Sequence, residues 1–282
     1  MTISVEMILI WVAIALYTAA TAMYGIGVTF IKETLTKRAL LVSAAGLVAQ
    51  VTSLGVRWAR VGHPPALGFY EVAGDLVVFA VLFFVIAAWR NPRLNAAGIA
   101  IMPVALLLLG GSTVTLNEVV EVSAKLDSYW LIVHVMFANL AFGAFAVSFG
   151  GAIAYVLRDR SKSGKWVERL AKLPAQDVLE NVTVRFVLVG FLFWGMMIAT
   201  GAIWANEAWG KYWAWTPIET WSLIVWIIYA VYLHVRFTLK WTGQRLAWYA
   251  IIAMPLALFA LVGIPFVFGT PHAGIGGLGM DA

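Results

Sequence analysis

The chain has no cysteine among its 282 residues, and only 12% of them are charged. Without thiols it can form no disulfide, hold no thiolate-bound metal and carry no cofactor through a thioether of its own. Any thiol chemistry it takes part in therefore belongs to another molecule. The shortage of charge stands against 62% hydrophobic residues and a mean hydropathy of +0.89, which excludes a water-soluble globule. Internal repeats and low-complexity tracts are also missing, so residues 1–282 read as a single membrane domain.

Long apolar runs are what the chain does have. A span needs about 20 mostly apolar residues, because lipid cannot satisfy stray backbone polar groups and a helix satisfies its own. Eight segments qualify, roughly 7–30, 39–58, 71–89, 96–115, 130–157, 183–204, 219–240 and 246–268. They predict an all-α polytopic integral membrane protein of about eight transmembrane helices. The first run is too long for a signal-peptide core and has no basic region before it, so it reads as a retained span.

The net charge of +5 does not point to nucleic acid, since the basic residues are scattered over short loops with no soluble domain to present a groove. Topology explains them. Lys32, Lys37 and Arg38 follow the first span, Arg90 and Arg93 the third, Arg158, Arg160, Lys162, Lys165, Arg169 and Lys172 the fifth, and Arg236, Lys240 and Arg245 the seventh. The alternate loops hold only Arg57, Arg60, Lys125 and Lys211. The positive-inside rule puts the first set in the cytoplasm. Both termini, with segments 59–70, 116–129, 205–218 and 269–282, are then non-cytoplasmic. The basic connection 158–182 is expected to form a short amphipathic helix on the membrane surface.

The densest signal is Trp204-Ala-Asn-Glu-Ala-Trp209-Gly-Lys-Tyr212-Trp213-Ala-Trp215-Thr-Pro-Ile-Glu219-Thr-Trp221, six aromatic residues in eighteen positions around the external loop 205–218. An aromatic belt accounts for one or two rings at a span end. A cluster this dense, with Gly210 and Pro217 inside it, reads as a folded platform whose flat π-faces suit a large planar apolar ligand.

This run, with the following SLIVWIIYAVYLHVR, resembles the WWD signature of the CcsA/ResC family, the haem-handling components of the System II cytochrome c synthase. Leu126-Asp-Ser-Tyr-Trp130-Leu-Ile-Val-His134 resembles the family's entry into a span with an outward-facing histidine, and Gly62-His63-Pro64-Pro65 with Tyr70-Glu71 its loop before the third span. The likeness covers much of residues 57–272. It departs in Thr216, where the family has Asp, in Ile218, where it usually has a basic residue, and in Pro271-His272-Ala-Gly, where it has His-Ser-Tyr-Gly.

The resemblance implies a haem substrate, haem b, and imidazole is a common axial ligand to its iron. His134 lies about five residues into its span, roughly 6–8 Å deep, and His272 just beyond the last span on the same side. Together they are expected to ligate haem against Trp209, Trp213, Trp215 and Trp221. His234 lies about 15 residues from Glu219, roughly 22 Å down its helix. The resemblance gives it an axial role in an internal haem site completed by a CcsB/ResB-like partner. His63 reads as structural or near the haem rim. Arg57, Arg60, Lys125 and Lys211 are the outward cations available to the haem propionates. Asp75 is placed to pair with Arg57 or Arg60, and Glu71 to act as a helix N-terminal charge.

The implied function is haem presentation for covalent attachment to an apocytochrome c carrying CxxCH, kept reduced by a thioredoxin-like partner. The setting is the bacterial cytoplasmic membrane, or the thylakoid membrane of a plastid. Two other readings stand beside it. A b-type haem subunit of a quinone oxidoreductase wants histidine pairs at matched depths on facing helices, and a transporter of another amphipathic solute would be colourless.

Overall fold

The computed structural model describes residues 4–30, 32–116, 126–160 and 173–268, with no strand among them. Eight helices are long and apolar enough to cross a membrane. They are α1 (Val5–Thr29), α2 (Glu33–Val61), α3 (Gly68–Arg90), α4 (Gly98–Ser112), α5 (Tyr129–Arg160), α6 (Gln176–Trp209), α7 (Pro217–Phe237) and α8 (Gln244–Leu258). Turns of 3-10 helix, Pro92–Ala97 and Thr113–Thr115, lengthen α4 at both ends, and α8 runs through a π turn, Phe259–Gly263, into α9 (Ile264–Phe268). The chain is an all-α polytopic membrane protein.

Several boundaries differ from the sequence expectation. Helix α6 does not stop at 204 but continues to Trp209, where Gly210 takes φ 71° and its amide donates to Asn206 O at 2.8 Å. Alanine-rich WANEAW favours helix, and the left-handed turn that ends it suits glycine. The tryptophan loop is thus shorter than 205–218. Helix α7 ends at Phe237 rather than 240, where Lys240 takes φ 58° and Trp241 N donates back to Val235 O at 3.0 Å; Glu180 of α6 then holds both Arg236, at 2.9 Å, and Gly243 N, at 2.7 Å. In the basic connection, α5 extends to Arg160 and α6 begins at Gln176. The amphipathic helix expected between them falls on residues 161–172, outside the described set.

Helix α5 is the centre of the bundle. Its most apolar window is 78% buried, against 22% for α6 and 28% for α1 and α7, so the latter three lie toward the outside of the bundle. It packs on α3 and α4 on one side and on α6 and α8 on the other. Buried Ala138, Ala141, Ala144 and Ala152 let neighbouring backbones come close. At the end where Arg158, Arg236 and Arg245 lie, Asp159 accepts hydrogen bonds from Gln176 and Gln244, tying α5 to α6 and α8.

At the opposite end, Arg57 joins three helices and a turn. Its guanidinium donates to Glu71 at 2.5 Å, to Glu6 at 3.1 Å and to the carbonyl of Leu116 at 2.9 Å, and its carbon lies 4.8 Å from the centre of the Tyr70 ring. Arg57 is 1% exposed. Arg60 donates to the second oxygen of Glu6 at 2.9 Å. Glu71 also accepts from Leu67 N, the N-cap amide of α3, at 2.9 Å, so it is both the expected helix N-terminal charge and an ion-pair partner. The expected pairing of Asp75 with Arg57 or Arg60 is not what forms: Arg57 is taken by Glu6 and Glu71, and Arg60 by Glu6.

Candidate functional site

At the tryptophan end of the bundle, α6 and α7 part around a cavity of about 400 Å³. Its position follows from local sequence. Gly201, Ala202 and Ala205 place small side chains on the inner face of α6, which leaves space that larger residues would fill. One turn deeper the space closes. Trp194 is fully buried there and donates its indole N–H to Ser222 O at 2.9 Å, pinning α6 to α7. Below it Phe145 stacks on Tyr229 with ring centres 3.7 Å apart. Aromatic packing therefore closes the inner side of the cavity.

The loop that forms the rim is organised by a capping box. Thr216 is the N-cap of α7, its hydroxyl accepting from Glu219 N at 3.4 Å, with Pro217 in the first turn. The Glu219 carboxylate in turn accepts from Ala214 N at 3.0 Å and Thr216 N at 2.9 Å, gripping the amides on either side of Trp215. Trp215 takes φ 56°, a left-handed conformation rare for a bulky residue. The result is an alternation: Trp213 lines the cavity, whereas Trp215 is 69% exposed and touches Trp213 edge-on at 5.7 Å.

The departure at Thr216 has a physical meaning here. Threonine and aspartate are both good N-caps, so the change from the family's residue keeps the cap and removes one negative charge from the rim. Thr216→Asp is expected to leave thermal stability within a few tenths of a kcal/mol, whereas Thr216→Ala is expected to cost about 1 kcal/mol. Unfolding of the purified variants in one detergent tests the pair. An equal loss in both would show that capping is not what residue 216 contributes.

His134 enters the cavity from α5. Its Nδ1 lies 2.8 Å from Met197 O, and since a carbonyl oxygen only accepts, Nδ1 carries the proton. The lone pair is then on Nε2, the tautomer of a metal-ligating imidazole whose other nitrogen is held by a backbone carbonyl. Trp204 lies nearly parallel to the ring at 6.3 Å, and Trp209 meets Trp204 edge-on at 4.8 Å. Lys211 stands at the rim.

The fold thus brings together His134, Trp209 and Trp213, with Lys211 as the cation. It does not bring Arg57 there, which is occupied by Glu6 and Glu71, nor Arg60, held by Glu6. These two are not positioned for propionates on the tryptophan platform. Trp221 packs edge-on against Phe259 of the π turn at 5.2 Å and is not part of the lining. His63 is buried, with Nδ1 2.9 Å from Pro64 O, away from the cavity. His234 is exposed on the outer surface of the bundle in the last turn of α7. His272 and Lys125 lie outside the described residues. Sequence reasoning missed Met197, Gly201, Ala202, Ala205, Ser222 and Leu261, all in the lining. The small-residue run Gly201-Ala202 with Ala205, in a helix otherwise rich in large side chains, was the available signal.

An imidazole with its metal-binding nitrogen unprotonated, aromatic and aliphatic walls, one cation at the rim and a volume within the roughly 300–1,000 Å³ of ligand pockets suit a planar metallated amphiphile. Fold and site together define a polytopic membrane protein with an aromatic-walled, histidine-bearing cavity at one end. Residues 67–272 match the family described as Cytochrome C assembly protein, and the chain belongs to it. It is 32% identical over 254 residues to the cytochrome c biogenesis protein CcsA of Synechococcus sp. strain RCC307, covering 80% of each chain. With CcsA of Prochlorococcus marinus strain NATL1A it shares 31% identity over 261 residues, 81% of each chain. With CcsA of Guillardia theta it shares 30% over 234 residues, 76% of this chain and 77% of that one. Among solved structures, cytochrome c haem lyase CcmF superposes with a TM-score of 0.63 at 18% identity, over 92% of this chain. The likeness is one of fold. The chain spans about half of that lyase, 46% of its length.

Proposed function

We propose that this chain presents haem for covalent attachment to apocytochrome c, as the CcsA-like subunit of a System II cytochrome c synthase. The observation that carries the reading is His134, fixed through Nδ1 to Met197 O at 2.8 Å and opening on the tryptophan-lined cavity. Membership of the cytochrome c assembly family supports it.

The residues take the following parts. His134 supplies one axial nitrogen, and His272, beyond the last span, the second. Trp204, Trp209 and Trp213 wall the apolar face, and Lys211 receives a propionate at the rim. The haem handled is haem b, held as substrate. Attachment adds each thiol S–H across a vinyl C=C, sulfur to one carbon and the proton to the other. It needs orientation more than an acid or base from this chain. A chain without cysteine cannot trap haem on itself, and its thiols come from a CxxCH acceptor kept reduced by a thioredoxin-like protein.

His234 belongs to a second site. It lies about 22 Å along α7 from the rim, so it cannot share an iron with His134, and its exposure suits a ligand set completed by a CcsB/ResB-like partner. In this reading the tryptophan end faces outward from the bacterial cytoplasmic membrane, or into the thylakoid lumen in a plastid, with both termini on that side. The closed packing of Trp194, Phe145 and Tyr229 makes a haem path through the centre of the bundle unfavourable, and points to a route around it.

The test is the visible spectrum of the detergent-purified chain, expressed with and without the partner, before and after dithionite, together with cytochrome c accumulation in a deletion strain. A bis-histidine Soret and α-band pattern and loss of holocytochrome are expected. A colourless protein in both preparations, with cytochrome c unaffected by deletion, would turn the reading to a transporter.

A further inference from the structure

We infer that Gly201 is a positioning residue for His134: only glycine at this place in α6 lets the imidazole of α5 reach the Met197 carbonyl. The inference rests on the reading of His134 as a haem ligand. In a helix the carbonyl of residue 197 points along the axis toward the amide of residue 201. A second donor, arriving from another helix, must approach over the flank that the side chain of residue 201 would cover.

The geometry is close. A Cβ placed on Gly201 would lie 2.6 Å from His134 Nδ1 and 2.8 Å from its Cε1. Both are far inside contact distance, so a methyl group and the 2.8 Å Nδ1–Met197 bond cannot coexist. The helices have little freedom to part and make room. On one side of His134, Ser128 at the entry to α5 donates to Glu207 of α6. On the other, Phe137 of α5 stacks on Phe193 of α6 with ring centres 6.0 Å apart. Tethered above and below, α5 and α6 leave the imidazole as the part that moves.

If the imidazole rotates, two things are lost together. The proton is no longer held on Nδ1, so Nε2 is protonated in part of the population, and the ring no longer aims into the cavity. The same Met197 carbonyl also accepts from Thr200 Oγ1 at 3.2 Å. That contact lies within α6 and does not need glycine at 201.

The experiment uses the full-length chain labelled with ¹⁵N-histidine, in detergent, as wild type, Gly201→Ala and Gly55→Ala. The last is a control in α2, where an added methyl meets nothing within 4 Å. With four histidines in the chain, the His134 signal is assigned by its loss in His134→Gln. Expected are an Nδ1-protonated His134 in wild type and Gly55→Ala, a shift toward Nε2 protonation in Gly201→Ala, and about a tenfold or greater fall in haem retention with loss of the low-spin spectrum in that variant alone. Unchanged nitrogen shifts and haem spectrum in Gly201→Ala overturn the inference. So does an Nε2-protonated His134 in the wild type, which decides the matter even if the alanine variant fails to accumulate. A tautomer shift in a protein that takes up no haem upholds the positioning role while overturning the haem reading.

Discussion

Arg57→Ala is expected to destabilise the bundle by about 3–5 kcal/mol, the cost of breaking a buried ion pair by removing one partner. The expectation rests on how completely the guanidinium is used. Glu6 and Glu71 come from α1 and α3, the Leu116 carbonyl from the turn after α4, and all three accept from one side chain that is almost wholly buried. Removing the cation leaves two carboxylates in an apolar bundle, Glu6 with the more exposed Arg60 and Glu71 with His63 Nδ1 3.9 Å away. Removing Glu71 alone strips the α3 N-cap amide of its acceptor as well. Unfolding by a denaturing detergent titration, followed by helix signal, measures the loss. A change below about 1 kcal/mol, the size expected of an exposed pair, would show that water screens the cluster. The haem spectrum, if haem binds, should survive Arg57→Lys, since the cavity is built from other residues.

His134→Gly is expected to lower haem retained by the purified complex at least tenfold, comparable to the loss of a supporting ligand contact, while leaving the protein folded. The residue lines a cavity rather than filling the core, so its truncation enlarges an existing space. Added imidazole should restore the low-spin spectrum by occupying that space. Trp213→Ala should also lower retention, because its ring is part of the lining, whereas Trp215→Ala should have a much smaller effect, because its ring is 69% exposed. The contrast separates a shaped pocket from a diffuse aromatic surface. Equal effects of the two tryptophan variants, or full haem retention in His134→Gly, would remove His134 and its cavity from the proposed site.

Most of the spans were legible because hydropathy is a local property and the cost of unsatisfied backbone in lipid enforces helix wherever about 20 apolar residues run together. Helix ends were less so. α6 passes through the aromatic run to Trp209 because Ala205, Glu207 and Ala208 favour helix as far as Gly210, a detail hydropathy does not see. The tryptophan density and His134 could be read as a site, but the division of labour within it could not. Trp213 faces in and Trp215 out because Glu219 grips the amides around a residue with φ 56°, and no spacing rule predicts that. Asp75 is left without the arginines expected for it for a related reason: Glu6, on another helix, reaches both of them.

By itself, the amino-acid sequence determined that this is a multi-spanning helical membrane protein without thiol chemistry of its own, and it carried a tryptophan-rich run that resembles the one in the family it belongs to. These follow from composition, local periodicity and contiguous residues. Only the tertiary structure decided that Arg57 serves the fold rather than the tryptophan site, by bringing to it Glu6 and Leu116 from 51 and 59 positions away. It likewise set a carbonyl 63 positions distant against Nδ1 of His134. A side chain's chemistry belongs to its residue, but its partner is chosen by packing among helices, and packing is a property of the whole chain.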